Sequence, residues 1–182
     1  MMNDELNVLK IVTTRLHQAD IPYMVSGSMA ANFYGYPRMT RDIDIIVELV
    51  REDVPKVYQL FESDFYIDAT MIHEAISYHS IFNIIHNEAM VKVDFIIRQD
   101  TPYRRLEFNR RCLMQIDDFE VFVVALEDLI LSKLYWVKDS QSELHLNDVK
   151  ILIRENRNQL NENYLNKWAN QLQITHLLEE LL

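Results

Sequence analysis

Two aspartates separated by one residue stand in the run Asp42-Ile43-Asp44-Ile45-Ile46-Val47. In an extended strand, residues two apart project from the same face. Two carboxylates aimed at one point suit a hard divalent cation such as Mg²⁺, with Mn²⁺ as the other ion of this kind. The chain has only two glycines, Gly27 and Gly35, and both precede this pair. Gly27-Ser28 follows the apolar run Tyr23-Met24-Val25. A Gly-Ser turn there lets the backbone approach a ligand closely and opens a helix whose first N–H groups can hold phosphate. A phosphate-holding turn beside a Mg²⁺ site suggests chemistry on a nucleotide. A third acid, Asp94, interrupts the otherwise apolar strand Met90-Val91-Lys92-Val93-Asp94-Phe95-Ile96-Ile97. A buried charge needs a partner or a metal. If this strand lies beside the first, three carboxylates meet, and they repel one another unless a cation neutralises them. Each feature alone also has a plain reading: an ordinary turn, an exposed strand edge, a solvent-facing strand position. Their order and spacing favour the chemical reading.

Gly27-Ser28, thirteen intervening residues, Asp42-x-Asp44 and the later strand acid Asp94 resemble the nucleotidyltransferase superfamily that includes polymerase β. The resemblance covers roughly residues 20–97. It implies that the Gly27-Ser28 turn holds a nucleoside triphosphate and that Asp42 and Asp44 bind two metal ions. It further implies that Asp94 assists the metals and the attacking hydroxyl. Arg41, directly before the pair, joins the nucleotide-binding set.

Two further charges fall on apolar helical faces. Lys133 has Leu129, Ile130, Trp136 and Val137 three and four residues away, and Asp148 has Leu144, His145, Ile151 and Leu152. They could pair with each other or line a nucleotide cleft; the cleft is favoured. The segment Glu127-Asp128-Leu129-Ile130-Leu131-Ser132-Lys133-Leu134 with Asn147-Asp148-Val149 resembles nucleotidyltransferases related to AbiEii-type toxins. In that branch the lysine touches the triphosphate and the aspartate supports the site. The match is partial, because the basic residue and aspartate usual shortly before the final aspartate are replaced by Ser142-Glu143-Leu144-His145-Leu146-Asn147. Arg98, Arg104, Arg105, Arg110 and Arg111 cluster after the Asp94 strand against only Asp100 and Glu107. They suit phosphate or an acceptor RNA, although a solvated loop and helix is the slightly favoured reading. His17, His73, His79, His86, His145 and His176 show no metal-ligand spacing, and no serine sits in a G-x-S-x-G elbow.

The elements that must position these groups follow from periodicity. Residues 5–19 carry a helical apolar stripe stopped at Ile21-Pro22. A short strand at 23–25 leads to a helix from Ser28 to Tyr34, with Ser28 as N-cap and Gly35 as terminator. Strand 42–48 turns Ile43, Ile45 and Val47 one way and the aspartates the other. Helices at 52–62 and 69–77 precede a hairpin of 80–86 and 90–97, then a strand pair at 112–116 and 119–124. From Leu126 onward the pattern is helical, at about 126–137, 143–156, 161–171 and 173–181. The expected fold is α+β: a mixed sheet flanked by helices, with 1–125 as the core and 126–182 a helical segment packed on it.

Composition bounds the alternatives. A chain of 182 residues with 49% apolar content can bury a full core, which excludes intrinsic disorder. A net charge of −10 and a pI near 5.0 disfavour broad nucleic-acid binding. The single cysteine, Cys112, forms no internal disulfide and fits a reducing cytoplasm. No signal peptide and no transmembrane run is read. The expected activity is Mg²⁺-dependent transfer of a nucleoside monophosphate from an NTP to an acceptor hydroxyl of a tRNA, a protein or a small molecule. The alternatives are a toxin paired with an antitoxin protein and acting on RNA, and a catalytically silent nucleotide-binding module.

Overall fold

The computed structural model describes residues 2–35, 40, 42–140 and 142–182. Among them the chain runs α1 (Met2–Gln18), β1 (Tyr23–Val25), α2 (Gly27–Phe33), β2 (Asp42–Val47), α3 (Val54–Phe61), β3 (Phe65–Tyr66), α4 (Ala69–Tyr78), β4 (Ile81–His86) and β5 (Lys92–Ile97). It continues through α5 (Pro102–Asn109), β6 (Cys112–Ile116), β7 (Phe119–Val123), α6 (Leu126–Ser140), α7 (Glu143–Asn156), α8 (Glu162–Gln171) and α9 (Thr175–Glu179). Every described element after β7 is helical. This is the expected α+β architecture.

The seven described strands form one mixed sheet in the order β3-β4-β5-β2-β1-β7-β6. β2 and β5 are parallel and adjacent at its centre, whereas β4 pairs with β5 and β1 with β2 antiparallel. Alternation decides the two faces. Ile43, Ile45, Val47 and Val93 are fully buried on one face, with Phe95 and Phe82 stacked beside them at 4.9 Å between ring centroids. Phe61 of α3 packs on Phe95 at 5.9 Å, so α3 covers this apolar face. The other face carries Asp42, Asp44 and Ile46 of β2 beside Lys92, Asp94 and Ile96 of β5.

Two departures from expectation bear on the site. α2 begins at Gly27, with Ser26 rather than Ser28 at the capping position. Gly27 has φ +62°, a left-handed residue that turns the chain one step earlier than a Ser28 cap requires. α5 is a defined helix, opened by the Thr101 hydroxyl accepting from Arg104 N–H, with Pro102 in its first turn. The remaining strand, β3, has only two residues and leaves no periodic signature. Gly35 does end α2, with φ +90°.

Candidate active site

The parallel register places Asp44 directly beside Asp94, and Asp42 beside Lys92. The three acids therefore share one sheet face, as expected. Asn83 on β4 is the partner of Asp94 from the other side, so it belongs to the same row. The Ser26 N–H donates to the Asp44 carbonyl at 2.9 Å, which ties the start of α2 to the middle of β2. Gly27 lies against the Asp44 side chain. A Cβ at Gly27 would stand 1.9 Å from Asp44 Oδ2, so only glycine lets the turn come this close. Ser28 follows in the first turn of α2, and Arg41 lies outside the described residues.

The electrostatics are those of crowded acids. Burial pushes the Asp44 carboxyl up to about 6, and the charges of Asp94 and Asp42 push the same way. Lys133 and Lys92 oppose them. Lys92 Nζ donates to Asp94 Oδ2 at 2.9 Å and stands 3.8 Å from Asp42 Oδ2. Its hydrogen bond to Asp94 raises its own basicity. Lys92 thus stands where the acids need positive charge. Among the described residues no three His, Cys, Asp or Glu side chains are arranged to hold a metal ion as they stand. The donor set nonetheless fits one by its chemistry: three mutually repelling carboxylates, one already pushed toward protonation, with a half-exposed lysine between two of them.

Lys133 is not in a wet cleft. It is 4% exposed and donates to Asp148 Oδ2 at 2.7 Å, and Asp148 is fully buried. The two inward-facing charges found each other, and the field of Lys133 still reaches Asp44.

The arginine cluster is a loop and helix whose guanidiniums are bonded internally, with Arg105 largely exposed. Arg98 binds Glu48 and Asp100, and Arg105 binds Asp100 at 3.1 Å. Arg104 binds Glu107 at 2.8 Å, and Ser132 donates to the same carboxylate at 2.7 Å. Arg110 spans Glu127 at 2.9 Å and fully buried Asp128 at 2.8 Å, while Tyr164 donates to Asp128 at 2.6 Å. Arg111 lies over the rings of Phe108 and Phe122. The Arg104 and Arg110 contacts fasten α5 and the residue that follows it to α6 and α8. Burial raises Glu107 above the ordinary carboxylate range, against the lowering effect of Arg104.

Beyond the carboxylates, on the same face, Ile46 and Ile96 floor a cavity of about 340 Å³ walled by α5 and α6. Sequence reasoning passed over this cavity, Lys92 and Asn83. A lysine or asparagine in a strand has no distinctive spacing, and only the register brings either beside Asp94.

Solved nucleotidyltransferases share this architecture. ANT(2″)-Ia in complex with adenylyl-2″-tobramycin matches with a TM-score of 0.60 at 13% identity, covering 95% of this chain and 98% of that one. An antigenic nucleotidyltransferase-like protein from Paracoccidioides brasiliensis matches with a TM-score of 0.58 at 16% identity, covering 95% and 91%. The lincosamide antibiotic adenylyltransferase LnuA, lincomycin-bound, matches with a TM-score of 0.54 at 15% identity, covering 84% and 96%. No protein-family model matches the chain, and no curated protein matches it in sequence. At these identities the likeness is one of fold, and the fold is nucleotidyltransferase-like.

Proposed function

We propose that the protein transfers a nucleoside monophosphate from an NTP to an acceptor hydroxyl and releases pyrophosphate. The observation that carries this reading is the row Asp42, Asp44 and Asp94 on one face, with Gly27 pressed against Asp44. The nucleotidyltransferase-like fold supports it. Intact acids at all three positions argue against a silent module. Kinship with AbiEii-type toxins, and with it an antitoxin partner, rests on the Glu127–Lys133 segment and Asp148 alone.

In this reading residues 1–125 form the catalytic core and 126–182 the helical segment packed on it. The Gly27-Ser28 turn receives the phosphates, with Arg41 at the nucleotide. Asp42, Asp44 and Asp94 would hold Mg²⁺ or Mn²⁺, with Lys92 swinging outward. When bound, the metal supplies charge neutralisation for the phosphates and a more acidic acceptor hydroxyl. The acceptor oxygen attacks the α-phosphorus, the bond from that phosphorus to the β-bridging oxygen breaks, and pyrophosphate leaves with the electron pair. Asp94 receives the proton of the hydroxyl. Lys133, buried and bonded to Asp148, acts on Asp44 through its field, with Asp148 supporting it, and both stay in the nucleotide-binding set read from the sequence. Among the described residues no helix is long and apolar enough to cross a membrane.

Calorimetry with each NTP, with Mg²⁺ and with EDTA, tests the binding half. Binding should require Mg²⁺ and weaken in Ser28→Ala. Pyrophosphate release tests the transfer half, and Asp42→Ala/Asp44→Ala should abolish it while the fold persists. Equal NTP affinity in EDTA would overturn the reading.

A further inference from the structure

We infer that the cavity floored by Ile46 and Ile96 takes the acceptor, and that this acceptor is a small molecule with an apolar or aryl face and a positive charge. The inference rests on the transferase reading for the word acceptor, and on the cavity itself for the chemistry of the ligand.

Position comes first. Ile46 follows Asp44 by two residues on β2, and Ile96 follows Asp94 by two on β5. Each therefore points to the same side as its aspartate, roughly 7 Å further along the strand. Ser26, which bonds the Asp44 carbonyl, also lines the cavity. The carboxylates do not line the cavity themselves; Ile46 and Ile96 carry it up to them, two residues along each strand from Asp44 and Asp94. A volume of about 340 Å³ suits a small molecule and is far too small for a folded RNA end.

Charge and shape come second. Two guanidiniums reach the wall, and neither is available to an anion. Arg98 is held by Glu48 and Asp100, and Arg104 by Glu107. The remaining charged wall residue, Asp139, makes no ion pair among the described residues. The mouth is apolar: Trp136 is 60% exposed and Ile81 51%. Lys138 stands over the neighbouring Tyr135 ring at 5.8 Å and does not line the cavity, which leaves the Trp136 face open. An exposed indole beside an unpaired carboxylate favours an aryl or apolar body bearing an ammonium group. A phosphorylated or carboxylated acceptor meets no unpaired guanidinium on this wall and stands beside Asp139 instead.

The test uses two probes of one scaffold, tyramine and 4-hydroxyphenylacetate, which differ in the sign of the charged end. Ligand-observed NMR titrations of the full chain, without nucleotide or metal, give both dissociation constants. Tyramine should bind about tenfold more tightly. Asp139→Asn should bring the two close to parity, and Trp136→Ala should weaken both. Both side chains are exposed, so the variants keep the fold. Equal or tighter binding of 4-hydroxyphenylacetate overturns the inference. So does a preference that survives Asp139→Asn, or displacement of tyramine by MgATP, which would give the cavity to the nucleotide. Failure of Mg²⁺-dependent NTP binding would sink the transferase reading and leave these titrations standing as evidence for the cavity alone.

Discussion

Asp44 is the residue on which most of the site converges. It faces Asp94 across the register, touches the Gly27 backbone, and feels Asp42, Lys92 and Lys133. Its carboxyl is lifted from 3.8 to about 6, first by burial and then by the two acids. Ionising it is therefore harder in the folded chain than in the unfolded one. The associated stability is fully present below pH 4 and is lost as pH rises through about 6. A difference of this size is worth at most about 3 kcal/mol. Metal-free protein should melt lower at pH 8 than at pH 4.5 by this mechanism, and Asp44→Asn should remove most of that slope and melt higher at pH 8. Mg²⁺ should restore the wild-type melting temperature at pH 8. Melting curves across pH, with and without Mg²⁺, check it; a slope unchanged in Asp44→Asn would assign the pH dependence to other groups. The type and spacing of Asp42 and Asp44 were legible because each alternates with an isoleucine that is fully buried. The partnership with Lys92 was not legible, since no local pattern fixes a parallel register between strands so far apart in sequence.

At the scale of elements, α6 carries three buried charges, Glu127, Asp128 and Lys133. Its apolar stripe was readable, and so were the charges that break the stripe. What they bond to was not. Lys133 pairs with Asp148 of α7, and Glu127 and Asp128 receive Arg110 from beyond α5. Each such bond joins residues distant in the chain, so helical periodicity reports only that a charge faces inward. Thr101 and Pro102 open α5 by ordinary capping chemistry, a start that the reading of the sequence passed over. A desolvated pair is costly to break from one side. Lys133→Ala should destabilise the chain by roughly 3–5 kcal/mol, because it breaks a buried ion pair from one side. Lys133→Met/Asp148→Leu should recover most of that stability, yet transfer should stay depressed because Asp44 has lost a neutralising neighbour. Paired denaturation curves and pyrophosphate-release rates distinguish the effects. A double variant with full activity would make the pair purely structural.

For the whole molecule, charge and topology point the same way. The net charge of −10 is spread over a chain whose clustered arginines are bonded internally. Little positive surface remains among the described residues for a polyanion to grip. A 30-nucleotide RNA of random sequence should bind no more tightly than about 10⁻⁴ M at physiological salt. Fluorescence anisotropy measures this directly, and sub-micromolar binding would return RNA to the front of the acceptor candidates.

The contact between Gly27 and Asp44 also constrains how this sequence can drift. A methyl group at position 27 would stand 1.9 Å from the Asp44 carboxylate, and the residue sits at φ +62°. The two positions are therefore locked to each other in sequence space. While Asp44 is kept, no single substitution at Gly27 is open. Once Asp44 is shortened to alanine, the 1.9 and 2.7 Å clashes go, and what remains at 27 is a tight 3.0 Å contact with the Cβ of residue 44 and the left-handed backbone, the latter at roughly 1–2 kcal/mol. A lineage that abandons the carboxylate thus gains freedom at the turn, and return requires two changes rather than one. Loss of chemistry in this fold would work as a ratchet, with the glycine as its pawl.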